Sequence, residues 1–233
     1  MNLILQTLLN PVSAFNELKR ENKFPGMVLV ILLVLTAVNL ILMVPITSKA
    51  TATMMSSLPL PEEQLDITMA MMHKLRYLMV IGGVFTYAIT FFIYALIFYI
   101  LTVIAKPTLT YMKAFTLIVY SYFAITIGEL INTGILYMRG LDKITSPYEI
   151  KFTGLNLFTT LENTGIAVYS LLCSINPFQI WFVVLLSIGL KVFANIKYLK
   201  ALLISVLFWL VLLIYLFVTM SFSEMAMNKA GLM

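Results

Sequence analysis

The sequence predicts an all-α fold, a polytopic transmembrane helical bundle of about five spans with its N-terminus in the cytoplasm and its C-terminus outside. Of the 233 residues, 61% are hydrophobic and only 11% are charged, whereas a soluble domain carries about 25% charged residues. Charges are also nearly absent from five long stretches, each long enough for the roughly 20 helical residues that a bilayer core of about 30 Å requires. Much of the apolar surface must therefore face lipid.

Residues 1–24 are predicted to form an amphipathic cytoplasmic head before the first span. Their apolar residues fall on one helical face, which is typical of a segment lying on a membrane surface. Asn10-Pro11 suits a helix start, with Asn as the cap and Pro in the first turn, so the head is expected to be interrupted there.

A signal peptide is the competing interpretation of the N-terminal region, because Ala50-Thr51-Ala52 resembles a cleavage site. The apolar run that precedes it, about 20 residues, is longer than the apolar core of a signal peptide. This length favours a retained transmembrane helix.

The remaining chain, residues 25–223, is predicted to be one five-helix transmembrane domain, with 224–233 as a short outer tail. Pro177 suits the first helical turn of the fourth span with Asn176 as its cap, so 155–173 would be a separate amphipathic or re-entrant helix. The expected spans are about 25–46, 77–105, 114–138, 177–196 and 201–223.

The distribution of charge among the connections predicts the orientation. The head and one set of short connections hold eight cations, against seven in the remaining connections, and the short connections contain almost no acids, as cytoplasmic segments do. The cations of this set are Lys19, Arg20, Lys23, Lys106, Lys113, Lys191, Lys197 and Lys200. The last five are expected to contact anionic lipid headgroups. No basic stripe interleaved with aromatic residues lies outside the apolar stretches, so no nucleic-acid partner is expected.

Three short patches carry a family resemblance. The patches are Asn10-Pro11-x-x-Ala14-Phe15, then Ala114 to Tyr122 with Tyr120-Ser121, and then Asn176-Pro177-Phe178-Gln179-Ile180-Trp181 followed by Ser187-Ile188-Gly189-Leu190. In this order, with five spans and a short head, the chain resembles prokaryotic members of the YIP domain family, named for eukaryotic proteins that interact with Ypt/Rab GTPases. Phe24-Pro25-Gly26 stands where eukaryotic members carry Asp-Leu-Tyr-Gly-Pro.

The resemblance implies a five-span helical fold and a role in membrane organisation or trafficking, in a bacterial or archaeal inner membrane. It supplies no reaction and no catalytic residue.

Glu129 is the acidic residue that interrupts the third span. A charged group inside the bilayer costs at least about 2.5 kcal/mol unless it is paired, protonated or hydrated. Polar residues at helical spacings from Glu129 extend this face, namely Tyr122, Thr126, Asn132 and Thr133. The face predicts either a proton- or cation-linked polar cavity or a hydrogen-bonded carboxyl that holds helices together.

Other singled-out residues have weaker functional interpretations. Ala124 and Gly128 form a small-xxx-small pair that permits close helix approach, most simply within the chain. Cys173 lies in an apolar stretch and is expected to be a packing residue. A Met-rich segment could bind Cu(I), although an amphipathic helix explains it as well. That segment holds Met54, Met55, Met69, Met71, Met72 and His73.

No enzyme signature is present, since there is one histidine, one cysteine and no phosphate-binding or nucleophile-elbow motif. We expect no enzymatic activity and no cofactor. Two hypotheses follow. The first is a scaffold that contacts the bilayer and another membrane protein or itself. The second is a small permease or channel-like transporter that uses Glu129.

Overall fold

The computed structural model describes residues 3–21, 25–56, 62–140 and 146–229. Throughout these residues the regular structure is helical, with no strand. Five helices are long and apolar enough to cross a membrane. The predicted all-α, five-span fold is therefore confirmed, whereas the orientation of the termini stays a prediction.

Nine α-helices and one 3₁₀ turn account for the regular structure of the described residues. In chain order the helices are α1 Leu3–Leu9, α2 Pro11–Glu21, α3 Gly26–Ser56, α4 Glu62–Ile104, α5 Tyr111–Ser121, α6 Phe123–Arg139, α7 Leu161–Ser174, α8 Pro177–Ala194 and α9 Tyr198–Lys229. The 3₁₀ turn Leu155–Phe158 precedes α7.

The spans differ in how much of their surface the protein itself covers. In the most apolar window of Tyr111–Arg139, 78% of residues are buried, against 17% for Gly26–Ser56 and 28% for Tyr198–Met227. The first of these is thus an interior helix, whereas the chain itself buries few residues of the other two, which leaves their surface for lipid or another protein to cover.

Helices α5 and α6 form one span with a single irregular residue between them. Tyr122 keeps right-handed helical angles, and its N–H donates to the carbonyl of Ile118 at 2.9 Å. The N–H of Thr126 then donates to the Tyr122 carbonyl at 3.0 Å, so the helical hydrogen-bond ladder continues. The third predicted span is therefore continuous.

The described helices form two compact units. The first comprises Met1–Leu35, Phe85–Gly128 and Pro177–Leu212, and the second comprises Thr36–Val84, Glu129–Asn176 and Leu213–Met233.

An aromatic core fills the first unit. The rings of Phe98 and Phe208 meet at 5.3 Å between centroids, and those of Phe91 and Tyr122 meet edge-on at 4.9 Å. Phe182 lies 6.0 Å from Tyr122 and is fully buried. Edge-to-face aromatic pairs contribute about 0.5–1.5 kcal/mol beyond their buried area, so this core is densely packed and specific.

The N-terminal head packs onto the first unit. Helix α2 contacts α8, and α1 contacts α5. Phe15 is fully buried, and Leu18 is 6% exposed. Lys19 donates from its ammonium to the carbonyl of Val192, 2.6 Å away in the last turn of α8. The apolar face that the periodicity predicts is thus covered by the chain's own helices.

The second unit contains the polar contacts and the connection to α7. Its small apolar core consists of Ile46, Ala50 and Leu136, with Ile150 and Phe152 packed against it. Residues 146–154 are an irregular segment that leads into the 3₁₀ turn. Helix α7 follows as a short helix of 14 residues, separate from α8.

Three helices extend beyond the spans that the sequence predicts. Helix α4 begins at Glu62, before the predicted span start at residue 77. Helix α3 continues to Ser56, beyond the predicted span end at residue 46. Helix α9 continues to Lys229, so residues 224–229, which were assigned to the tail, belong to a helix. Apolar length measures only the hydrocarbon layer, and helical hydrogen bonding continues into water beyond it.

Candidate functional site

The polar face predicted on the third span is divided between the two units. Tyr122 and Thr126 belong to the first unit, where both are buried. The hydroxyl of Thr126 donates to the carbonyl of Tyr122 at 3.3 Å, and the Tyr122 ring packs in the aromatic core. These two residues therefore have structural contacts within that unit.

Glu129 opens the part of α6 that lies in the second unit, and its side chain is half-buried. Its backbone carbonyl accepts a hydrogen bond from the Thr133 hydroxyl at 3.0 Å. Thr133 Oγ1 also lies 2.7 Å from Asn39 Oδ1, so its single proton is shared between two acceptors. Asn39 is 8% exposed and lies on α3, which makes this pair a polar contact between two spans.

Asn132 fixes the irregular segment after α6. Its Nδ2 donates to the carbonyl of Ile150 at 2.8 Å, and its Oδ1 accepts from the N–H of Phe152 at 2.7 Å. The amide thereby satisfies two backbone groups of the irregular segment, which has no regular backbone hydrogen bonds of its own. The Arg139 guanidinium carbon lies 4.2 Å from the centroid of the Phe152 ring. Asn132 thus positions the Phe152 ring under the Arg139 guanidinium.

Helix α7 contains a break at Gly165, which has φ 75° and ψ 170°. The first N–H groups of the helical segment that follows have no acceptor within that segment, and the N–H of Ala167 donates to Glu224 Oε2 at 3.1 Å. A carboxylate at a helix N-terminus also interacts favourably with the helix dipole. Glu224 of α9 therefore caps the continuation of α7, a role that its predicted place in a tail did not indicate.

The family-like patches meet in the first unit. A Cβ atom at Gly128 would lie 2.5 Å from the Phe178 ring, and one at Gly189 would lie 2.5 Å from Leu117 and 3.1 Å from Phe15. Glycine at both positions lets a ring approach a helix backbone closely. The small residue predicted to allow close helix packing, Gly128, thus meets a residue of the third patch, and Ala124 is buried beside the same core.

The other patch residues occupy varied environments. Tyr120 and Ser121 are buried, and Trp181 is 37% exposed. Pro177 begins α8, as its position next to Asn176 predicts. Asn10 lies between α1 and α2, and its Oδ1 is 3.5 Å from the N–H of Ser13, in the position of a weak helix cap.

The predicted lipid-facing lysines all belong to the first unit. Lys106, Lys191, Lys197 and Lys200 are exposed, and Lys113 is half-buried. Lys106 has φ 61° just beyond the end of α4, and Lys191 lies in the last turn of α8. Cations at helix C-termini are favourable, and their exposure leaves them available to anionic headgroups.

The Met-rich segment falls partly outside the described residues. Met54, Met55 and Met71 are described, whereas the side chains of Met69, Met72 and His73 lie outside the described part of the structure. Among the described residues, no group of three or more His, Cys, Asp or Glu side chains could hold a metal ion.

Five apolar helices around an aromatic core define a multi-pass helical membrane protein. A family model described as the Yip1 domain matches residues 5–220, nearly the whole chain. The chain therefore belongs to the Yip1 domain family, as the three patches and their order predict. No significant match is found among curated proteins or among solved structures.

Proposed function

We propose that this protein is a non-enzymatic scaffold that organises a membrane through protein and lipid contacts. The observation that carries the proposal is that polar side chains inside the third span form hydrogen bonds within the protein. Asn132, Thr133 and Thr126 all hydrogen-bond to groups of the chain itself. A transport path instead needs polar groups that can exchange their partners for water or a permeating ion.

The surface supports the same proposal. Few residues of spans α3 and α9 are buried by the chain itself, which suits contact with lipid, another membrane protein or a second copy of this chain. The exposed lysines of the first unit suit anionic headgroups, each contributing about 1 kcal/mol. The location we propose is the inner membrane of a bacterial or archaeal cell.

A small permease or channel-like transporter is the alternative. The half-buried carboxyl of Glu129 within a spanning helix favours it, because acidic residues at such positions often lie on ion pathways. The two functions predict different effects when the Glu129 carboxyl is replaced by an amide.

The test compares three forms of the protein, namely the unmodified chain, Glu129→Gln, and Glu162→Gln as a control at an exposed carboxylate. Each is reconstituted into liposomes for proton and cation flux, and each is crosslinked in native membranes. A scaffold in which Glu129 holds helices together gives flux equal to empty liposomes, and crosslinked species that Glu129→Gln reduces and Glu162→Gln leaves intact. Flux that Glu129→Gln abolishes, with crosslinking unchanged, would contradict the scaffold proposal and support transport.

A further inference from the structure

A polar cavity lies within the second unit, beside the end of α6. It has a volume of about 400 Å³, at the small end of the range for ligand pockets, about 300–1,000 Å³. The lining residues that carry chemistry are Arg139, Glu149, Phe152, Asn156, Thr160 and Tyr169. The cavity thus offers a cation, a carboxylate, an amide and hydroxyl groups to one small ligand.

Asn156 lines this cavity and carries a buried acceptor atom. Its side chain is 2% exposed, and its Nδ2 donates to the carbonyl of Lys151 at 2.6 Å and to the Tyr169 hydroxyl at 3.1 Å. The Lys151 carbonyl only accepts, so it fixes which end of the amide carries nitrogen. Among the residues that the structure describes, no donor reaches Asn156 Oδ1. A buried acceptor of this kind favours a ligand that donates hydrogen bonds.

Opposite charges line the same cavity. Burial raises the pKa of Tyr169, the Asn156 hydrogen bond lowers it, the Glu149 carboxylate raises it and the Arg139 guanidinium lowers it. Both charges therefore act on one hydroxyl, which stays protonated at neutral pH and can donate. The guanidinium is held over the Phe152 ring at 4.2 Å, and a planar guanidinium fork suits a phosphate.

Exposed apolar residues flank Asn156 in the sequence. Leu155, Leu157 and Phe158 of the 3₁₀ turn are 42%, 57% and 87% exposed, while Asn156 between them is buried. Arg139 is the last residue of a membrane-spanning helix. A polar cavity at a span end, with outward apolar side chains next to it, matches the boundary between lipid headgroups and acyl chains.

We propose that this cavity binds a phosphoethanolamine group, with the phosphate at Arg139 and the primary ammonium at Glu149 and Asn156 Oδ1. A primary ammonium has three donors and can reach both acceptors, whereas a trimethylated choline has none. The group can come from a phospholipid or from a soluble molecule. The site is independent of the scaffold role, because it requires neither self-association nor a partner protein.

The test is native mass spectrometry of the full-length protein in detergent, titrated with phosphatidylethanolamine, phosphatidylcholine or phosphatidylglycerol. We expect phosphatidylethanolamine to bind about tenfold more tightly than either of the other lipids, since only its headgroup offers both a phosphate and an ammonium that donates hydrogen bonds. Equal affinity for all three lipids would overturn the proposal.

Variants assign the two ends of the ligand. Glu149→Gln and Asn156→Leu should each remove the preference over phosphatidylcholine, whereas Arg139→Gln should weaken both lipids about tenfold. Glu149→Gln keeps the proposal testable if Asn156→Leu does not fold, because Asn156 also holds Lys151 and Tyr169. Glu162→Gln is the matched control and should bind like the unmodified protein. A preference that survives Glu149→Gln would contradict the assignment.

Competition separates the two sources of the group. Soluble phosphoethanolamine that displaces the lipid at similar concentration identifies a soluble ligand. If soluble phosphoethanolamine does not displace the bound lipid, and only added phosphatidylethanolamine does, the ligand is the membrane lipid. Its acyl chains then contact the apolar residues of the 3₁₀ turn. Both results support the headgroup chemistry. Binding of phosphatidylglycerol above phosphatidylethanolamine would exclude it.

Discussion

Gly165 occupies a backbone conformation that other residues rarely adopt. With φ 75° and ψ 170°, it lies in a region that is essentially restricted to glycine. A Cβ atom there would also point at the Glu224 carboxylate. The break in α7 and its capping by Glu224 therefore both depend on the absence of a Cβ atom at Gly165.

Replacing Gly165 with Ala should destabilise the protein by about 1–3 kcal/mol, because it adds backbone strain and displaces the Glu224 carboxylate. Thermal unfolding of the detergent-solubilised protein measures the loss. Gly134→Ala is the matched control, since Gly134 is helical with nothing within 4 Å of an added Cβ atom. That control should unfold at an equal or higher temperature. Equal behaviour of the two variants would show that the break is not strained.

Cys173 should react slowly with thiol reagents. The side chain is 3% exposed, and burial raises its pKa to about 11. At pH 7.5 its thiolate fraction is then at least about 100-fold below that of an ordinary thiol, and alkylation needs the thiolate. Iodoacetamide labelling should accelerate as the pH rises toward 11. Cys173→Ala/Thr108→Cys, with its thiol at an exposed position, is the reactive control. Comparable rates at pH 7.5 would contradict the buried thiol.

Single residues on α6 could be predicted, but their partners could not. Helical spacing from Glu129 identified Asn132 and Thr133. The partners of these two residues, Phe152 and Asn39, lie 20 and 94 positions away in sequence. Periodicity shows which face of a helix is polar and gives no information about which segment covers that face. Asn39 itself carried a usable signal, since a polar amide inside an apolar span needs a partner.

At the scale of elements, the packing of the head against α8 depends on one glycine. Gly189 allows Phe15 to approach the α8 backbone, and Lys19 caps the carbonyl end of the same helix. The amphipathic periodicity of the head predicted an apolar face. It could not distinguish burial against the membrane from burial against protein, because both offer an apolar environment.

Gly189→Leu should displace the head, since its side chain would occupy the space of Leu117 and the Phe15 ring. We expect amide hydrogen exchange in residues 3–21 to rise at least about tenfold, as local opening becomes easier. Gly82→Leu is the control, because an added Cβ atom at Gly82 has no neighbour within 4 Å. Unchanged exchange in Gly189→Leu would mean that the head is held elsewhere.

The spans were predictable because burying a helix in lipid requires length and apolarity, and both are visible in composition. The extensions of α3 and α9 beyond their predicted spans could not be predicted in this way. Residues 47–56 contain Thr, Ser and Lys49, so they lack the apolar signal although they are helical. Their helical hydrogen bonds form without regard to hydropathy.

For the whole molecule, charge predicts orientation. The connections that hold Lys106 and the stretch from Lys191 to Lys200 are short and contain no acid, whereas Glu149 and Glu162 lie in the longer segment between α6 and α8. Under the positive-inside rule the lysine-bearing connections face the cytoplasm.

Cysteine labelling in intact cells checks this orientation. In a Cys173→Ala background, Glu162→Cys should react with a membrane-impermeant maleimide, and Thr108→Cys should react only after permeabilisation, because the membrane shields the cytoplasmic side. Both positions are exposed, so each serves as the other's control. The reverse pattern would place the N-terminus outside.

The Glu224 cap also sets an order of events during synthesis. The carboxylate and the Ala167 amide that it satisfies are 57 residues apart. At about 5–20 residues per second, the ribosome needs on the order of 3–11 s to add the intervening chain. For that interval the start of the second half of α7 must obtain its hydrogen bonds from water or from the insertion machinery. Helix α7 therefore reaches its final state only after α9 has been made, and a ribosome that stalls within α9 would leave this helix uncapped in a membrane that already holds the earlier spans.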